Sequence, residues 1–186
     1  MRLSPILIWL AAVLLTMGGA HNPQAQEEGR KSTKPEVRRP PADYGKYAFS
    51  MRSIDGGKLE LGGFAGTTVL VTIWSPGCEP CEREADALVR VYARFRASGF
   101  EILGVAVRTT ETDVRMFQQK HAIKWPLGID DDILKTYGMY GLPDHYLFGA
   151  DGTFLKHYVG RVREGLLRSD LEAQFRAGSV PRVRQK

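Results

Sequence analysis

The sequence predicts an α/β domain with a mixed central β-sheet flanked by helices, and three observations predict it. Residues 68–74 and 102–107 are apolar runs rich in β-branched side chains with no polar alternation, as in strands buried on both faces. Apolar stripes at helical spacing follow them. Near the C-terminus, two short apolar segments are joined by Asp151-Gly152, a tight turn that makes its strands antiparallel and the sheet therefore mixed. With 186 residues, 43% hydrophobic and 25% charged, the chain can bury one core and still carry extensions.

Residues 1–20 read as a signal peptide or a membrane anchor. Arg2 supplies a positive start, residues 6–15 are apolar, and Gly18-Gly19-Ala20 is a small-residue cleavage candidate. A helix over residues 3–20 would be about 27 Å long, just short of a hydrocarbon core of roughly 30 Å. Either outcome puts the following domain outside the cytoplasm, in a periplasmic or other extracytoplasmic space. Residues 21–45 hold Pro, Gln, Glu, Lys and Arg with almost no large apolar side chain, the composition of a disordered linker. The net charge is +5, and basic clusters stand in this linker, at Arg30, Lys31, Lys34, Arg38 and Arg39, and toward a tail over residues 177–186, at Arg176, Arg182, Arg184 and Lys186, which suits a membrane surface or solubility. A nucleic-acid partner would require a basic face with interleaved aromatics, and none is present.

The domain is expected over residues 46–176. Phe49, Met51 and Ile54 lead into Asp55-Gly56-Gly57 and on to Leu59 and Leu61, a β-hairpin pattern. The buried strand at 68–74 follows a glycine-rich loop. Ala85, Leu88, Val89, Tyr92 and Phe95 then recur at helical spacing until Gly99 stops them. After the strand at 102–107, Thr110 or Thr112 caps a helix carrying Val114 and Phe117, and residues 125–129 are a short strand. Asp130-Asp131-Asp132 precedes Ile133-Leu134 as a helix cap does, a simpler reading than a metal site. Strands at 145–149 and 154–159 and a helix at 164–175 complete the domain.

The chemistry lies between the first buried strand and its helix, at Trp74-Ser75-Pro76-Gly77-Cys78-Glu79-Pro80-Cys81, which contains the chain's two cysteines. Their spacing puts both sulfurs on one face of a first helical turn, near enough to form a disulfide. Pro80 suits that turn because its missing N–H costs little there. The helix N-terminus favours thiolate at Cys78 by about 0.3 to 1 kcal/mol. Glu79, Glu82, Glu84 and Asp86 oppose it with a negative field that favours the oxidised pair, and hence a reducing role for the dithiol. A zinc site would need a second ligand pair, which is absent, and a structural bridge over so short a loop stabilises little.

Beyond these local patterns, the stretch from about Tyr47 to Phe175 resembles the TlpA/ResA-like branch of thioredoxin-fold thiol-disulfide oxidoreductases. The likeness rests on the Phe49 to Leu61 hairpin with Gly66, on Trp74, Cys78, Pro80 and Cys81, and on Tyr137-Gly138, Gly141-Leu142-Pro143, Leu147 and Asp151-Gly152. It implies a thioredoxin-like fold with an added N-terminal β-hairpin. It implies that Cys78 attacks, Cys81 resolves, Pro143 is a cis-proline beside them, and Trp74, Leu142 and Pro143 meet the substrate. Glu84 stands where the branch has a functional glutamate that exchanges protons with the second cysteine; a solvated helix carboxylate is the competing reading. The implied partners are a disulfide-containing protein, with apocytochrome c in cytochrome c maturation as one candidate, and a membrane thiol reductant of the CcdA or DsbD kind. No flavin or nicotinamide fingerprint is present, so no cofactor is expected.

Two departures stand out. Gly77 replaces the aromatic residue usual before the first cysteine, and Asp144-His145 replace small hydroxyl residues after the proline. His145 with the two cysteines is a candidate Cu(I) set for a thioredoxin-fold metallochaperone; a surface or strand histidine is the simpler reading for it, as for His121 and His157. A peroxidase reading finds no peroxide-activating arginine or threonine in the cysteine segment beyond Arg83.

Overall fold

The computed structural model describes residues 44–139 and 141–178. The leader, nearly all of the linker and most of the basic tail lie outside the described residues. Seven strands and four helices follow in chain order: β1 (Ser50–Ser53), β2 (Lys58–Glu60), β3 (Thr68–Trp74), α1 (Glu79–Phe95), β4 (Phe100–Ala106), α2 (Glu111–Lys120), β5 (Leu127–Ile129), α3 (Ile133–Tyr137), β6 (Asp144–Phe148), β7 (Phe154–Val159) and α4 (Glu164–Gly178). The strands form one sheet in the order β2-β1-β5-β4-β3-β6-β7. β3 pairs parallel with β4, and β4 with β5; the other pairings are antiparallel.

β3 shows why its sequence lacks alternation. Leu70 and Trp74 join a core with α1, α2 and α4, while Val69, Val71 and Ile73 join a second core with α3 and the segment around Tyr44. Every residue of the strand is buried. Each such aliphatic side chain contributes about 1.5 to 3 kcal/mol by leaving water, so the middle of the sheet anchors both layers. α1 buries Ala85, Leu88, Val91, Tyr92 and Phe95, and Gly99, at φ 88°, turns the chain into β4. Thr110 caps α2 by accepting from the Asp113 N–H at 3.2 Å.

The aspartate run takes a different job from the expected side-chain cap. Asp132 occupies the cap of α3 without a side-chain bond. Asp131 Oδ1 instead accepts from the Arg108 N–H at 2.6 Å, and Asp130 Oδ1 from the Asp132 N–H at 2.9 Å. Asp131 thereby braces the loop between β4 and α2, where Arg108 has a φ of 52°, and Asp130 braces the turn into α3.

Candidate active site

The register of the sheet brings the functional segments together. Ile73 near the end of β3 faces Asp144 at the start of β6, so the loop after Trp74 and the loop before Asp144 leave the sheet side by side. The first carries the cysteines. The second carries Leu142–Pro143, whose peptide bond is cis. Pro143 is buried and Leu142 half-buried, packing against both cores.

Ser75-Pro76-Gly77-Cys78 forms the turn into α1. Cys78 N–H donates to Ser75 O at 3.2 Å, and Gly77 has a φ of 80°. Proline second and a positive-φ glycine third are the marks of a type II turn, the physical reason glycine stands in the aromatic's place. Cys78 is then the N-cap of α1, with its Sγ accepting from the Cys81 N–H at 3.4 Å. The two cysteines are joined in a disulfide, Cα to Cα 5.3 Å. Cys78 is half-buried and Cys81 is 3% exposed, so an approaching sulfur meets Cys78 first.

The acidic segment does not act as free negative charge. Glu79 pairs with Arg83, Glu82 lies 2.6 Å from Lys120 and 2.9 Å from His121, and Asp86 lies 2.8 Å from His121. The bond from Lys120, and to a lesser degree His121, holds the Glu82 carboxyl below its ordinary range. Ion pairs in place of bare carboxylates remove the basis for expecting a strong negative field at the cysteines.

Glu84 is not a solvated helix carboxylate: it is 3% exposed. One turn after Cys81, it projects under the disulfide, where Oε2 accepts from the Val162 N–H at 3.0 Å. Its Oε1 lies 3.0 Å from Nε2 of His145, which is wholly buried in β6. The two atoms are close but out of line, so neither His145 ring nitrogen has an aligned hydrogen bond among the described residues. A cavity of about 20 Å³ lies beside Glu84, lined also by Cys81, Thr72, Trp74, Phe117, Trp125 and others. Gly104 keeps it open: a Cβ there would meet Leu127 and lie within 3.3 Å of both tryptophan ring nitrogens. Trp74 is 4% exposed, its ring tilted against Phe117 at 4.2 Å, and it lines the same cavity as Cys81, away from solvent.

The other face of β6 carries a second cluster. Asp144 Oδ1 lies 2.7 Å from His157 Nε2, and Oδ2 accepts from the Tyr146 hydroxyl at 3.0 Å. Burial, then the Asp144 charge, push the Tyr146 hydroxyl far above its ordinary value of 10.0. His145 is thus a strand histidine, as one of the two readings had it, but it is sealed from the surface and without an aligned hydrogen bond, and its link to Glu84 is the main feature sequence reasoning missed. A histidine inside an unalternating apolar run was the one available signal. Its burial against Glu84 also turns it toward that carboxylate as a partner, and among the described residues no three His, Cys, Asp or Glu side chains converge to hold a metal, so the Cu(I) set finds no support.

Comparison with known proteins agrees with this geometry. The AhpC/TSA family model matches residues 46–157. Thiol-disulfide oxidoreductase ResA of Bacillus thuringiensis subsp. konkukian is 31% identical over 134 residues, covering 70% of this chain and 78% of the relative. The ResA protein of Bacillus subtilis is 27% identical, over 64% of this chain and 68% of its own length. Among solved structures, the thioredoxin domain of a Bacteroides vulgatus thiol-disulfide oxidoreductase superposes with a TM-score of 0.62 at 26% identity, covering 68% of this chain and 91% of that one. A DsbE-type thiol:disulfide interchange protein from Chlorobium tepidum gives 0.64 at 21% identity, over 69% and 93%, a likeness of fold. With a thioredoxin-like sheet, a disulfide-bonded Cys78–Cys81 pair just past the end of its inner strand β3 and relatives of this kind, the chain belongs to the AhpC/TSA family and is a thiol-disulfide oxidoreductase.

Proposed function

We propose that this protein reduces disulfides of extracytoplasmic proteins. The observation that carries the reading is the asymmetry of the cysteine pair: Cys78 half-buried at a helix N-terminus, Cys81 sealed beneath it beside the buried Glu84. In the reduced state the Cys78 thiolate attacks a substrate disulfide, forming a mixed disulfide and releasing one substrate thiolate. Cys81 then attacks Cys78 Sγ, the bond to substrate breaks, and the second substrate sulfur leaves. Glu84 is placed to take the Cys81 proton, which is the catalytic role assigned to it. Leu142 and Pro143 border the substrate's approach, and Trp74 lines the cavity it shares with Cys81. A groove of about 440 Å³, lined by Pro76, Gly77, Arg108, Asp113, Met116 and other residues, runs beside the cysteine loop and offers space for a substrate segment.

The extracytoplasmic setting rests on the leader pattern of residues 1–20, as signal peptide or inner-membrane anchor. Among the described residues no helix is long and apolar enough to cross a membrane. The resemblance to ResA-type proteins supports a membrane thiol reductant of the CcdA or DsbD kind as electron donor and apocytochrome c as a candidate substrate. The test is reduction of insulin by the dithiol form, with Cys81→Ala used to trap partners from periplasmic extract. Cys78→Ser is expected to abolish reduction and trapping together; reduction that survives this substitution would rule the scheme out.

A further inference from the structure

The sealed histidine under the disulfide has no part in the exchange chemistry as usually drawn for two cysteines and a carboxylate. It is nonetheless the side chain nearest the free edge of Glu84. Val162 N–H holds Oε2, and among the described residues the polar atom that stands against Oε1 is His145 Nε2, at 3.0 Å. The groups facing this pair from the surrounding elements offer no substitute. α1 contributes Cys81, and β3 contributes Thr72, directly opposite His145 in register. β7 contributes Tyr158, which burial and its bond to Asp170 keep protonated far above its ordinary value. Asp170 on α4 is already engaged by the Tyr158 hydroxyl at 2.7 Å and by Lys156 at 2.8 Å. A buried carboxylate with one backbone donor is poorly compensated, and an imidazole at contact distance supplies either a positive charge or a shared proton.

We propose that His145 is a positioning residue for the resolving step: it holds Glu84 toward the cavity shared with Cys81, and the two side chains act as one acceptor for the Cys81 proton. The inference rests on the reading of Cys81 as the resolving cysteine. In that step Cys81 gives its proton to the Glu84–His145 pair, and its thiolate attacks Cys78 Sγ. The Cys78–Cys81 bond forms as the bond from Cys78 to the substrate sulfur breaks, and the departing substrate thiolate takes a proton from solvent. Two electrons pass from the dithiol to the substrate disulfide. The cavity, at about 20 Å³, has room for one water to bridge sulfur and carboxylate.

The experiment follows the reduced full-length protein reacting with dithiodipyridine, which releases one thiopyridone as Cys78 attacks and a second as Cys81 displaces it. For His145→Phe the second phase is expected to slow by about tenfold or more near neutral pH, as loss of a proton acceptor predicts. The first phase stays within about twofold, and the slowing fades in alkali, where the thiol ionises unaided. His145→Gln, which keeps an N–H for Glu84, restores part of the rate. In a Glu84→Gln background, His145→Gln has no further effect, because the two side chains act as a unit. A second phase unchanged in both His145 variants across pH, equal slowing of both phases, or full additivity with Glu84→Gln each overturns the proposal. If His145→Phe fails to fold, the cycle between His145→Gln and Glu84→Gln decides alone: non-additive effects support the pair and additive ones refute it. A wild-type protein lacking the first phase would instead refute the oxidoreductase scheme itself, a result distinct from failure of the pair.

Discussion

Asp144 and His145 are consecutive residues of one strand, and each meets an ionisable partner of the opposite kind, yet they inhabit different surroundings. His145 faces the α1 side, where it and Glu84 are 0% and 3% exposed. Asp144 faces the aromatic side, where it is 6% exposed but its partner His157 is 35% exposed and lies flat against Tyr146 at 4.2 Å. The first pair is sealed behind the reactive sulfurs with its ring nitrogens unaligned; the second is hydrogen-bonded and reaches solvent. Satisfied polar groups hold a structure in place, whereas a buried pair left short of partners is the kind that moves a proton. A third pairing, His121 between Glu82 and Asp86 on the surface of α1, shows the ordinary case of a histidine tying helices together.

Three measurements sharpen or break this contrast. Glu84→Ala is expected to have the largest effect on stability, a loss of about 2 to 5 kcal/mol in urea unfolding, because it empties a buried volume and strands the Val162 N–H. Asp144→Ala is expected to cost less, about 1 to 3 kcal/mol, since the Tyr146 hydroxyl retains Tyr137 O at 3.3 Å and His157 can turn to water. Equal losses from these two substitutions would abolish the distinction between the faces.

The smallest effect belongs to Glu82→Gln, about 0.5 kcal/mol or less at neutral pH. The Glu82 carboxyl is held below its ordinary value of 4.5 chiefly by its bond to Lys120. A depressed folded value means the unfolded chain binds the proton more tightly, so the stabilisation is complete above 4.5 and disappears as pH falls through the folded value. Thermal midpoints of the two proteins should therefore differ slightly at neutral pH and converge in acid. A gap that persists in acid would assign the effect to something other than charge.

Much of the framework was legible because it depends on local periodicity. The unbroken apolar run of β3, the helical stripe of α1 ended by Gly99 and the Asp151-Gly152 turn each specify their own conformation. The sequence pattern put the cysteines at the start of α1, and the structure refines this by making Cys78 the N-cap. What was illegible depends on which residues share a face. In β6 both faces are covered, so no alternation reveals that position 145 points toward α1, and nothing near Glu84 in sequence names a partner 61 positions away. The acidic run around the cysteines misled for the same reason: the partners of Glu82 and Glu84, which are Lys120, His121 and His145, come from α2, its C-cap and β6. Pro76-Gly77, by contrast, carried its turn type in two letters, although the family pattern drew attention to the missing aromatic ring instead.

That turn bears on how the protein can change. Space is free around Gly77, since a Cβ there would meet no atom within 4 Å, yet its φ of 80° is one that L side chains rarely adopt. The obstacle to an aromatic ring at this position is backbone, and no single substitution removes it. Seating a ring there requires the loop to leave its type II form, because a substitution at Gly77 is strained for as long as the turn keeps that form. New neighbours for Cys78 are therefore introduced more readily along the groove lined by Arg108, Asp113 and Met116 than at position 77 itself.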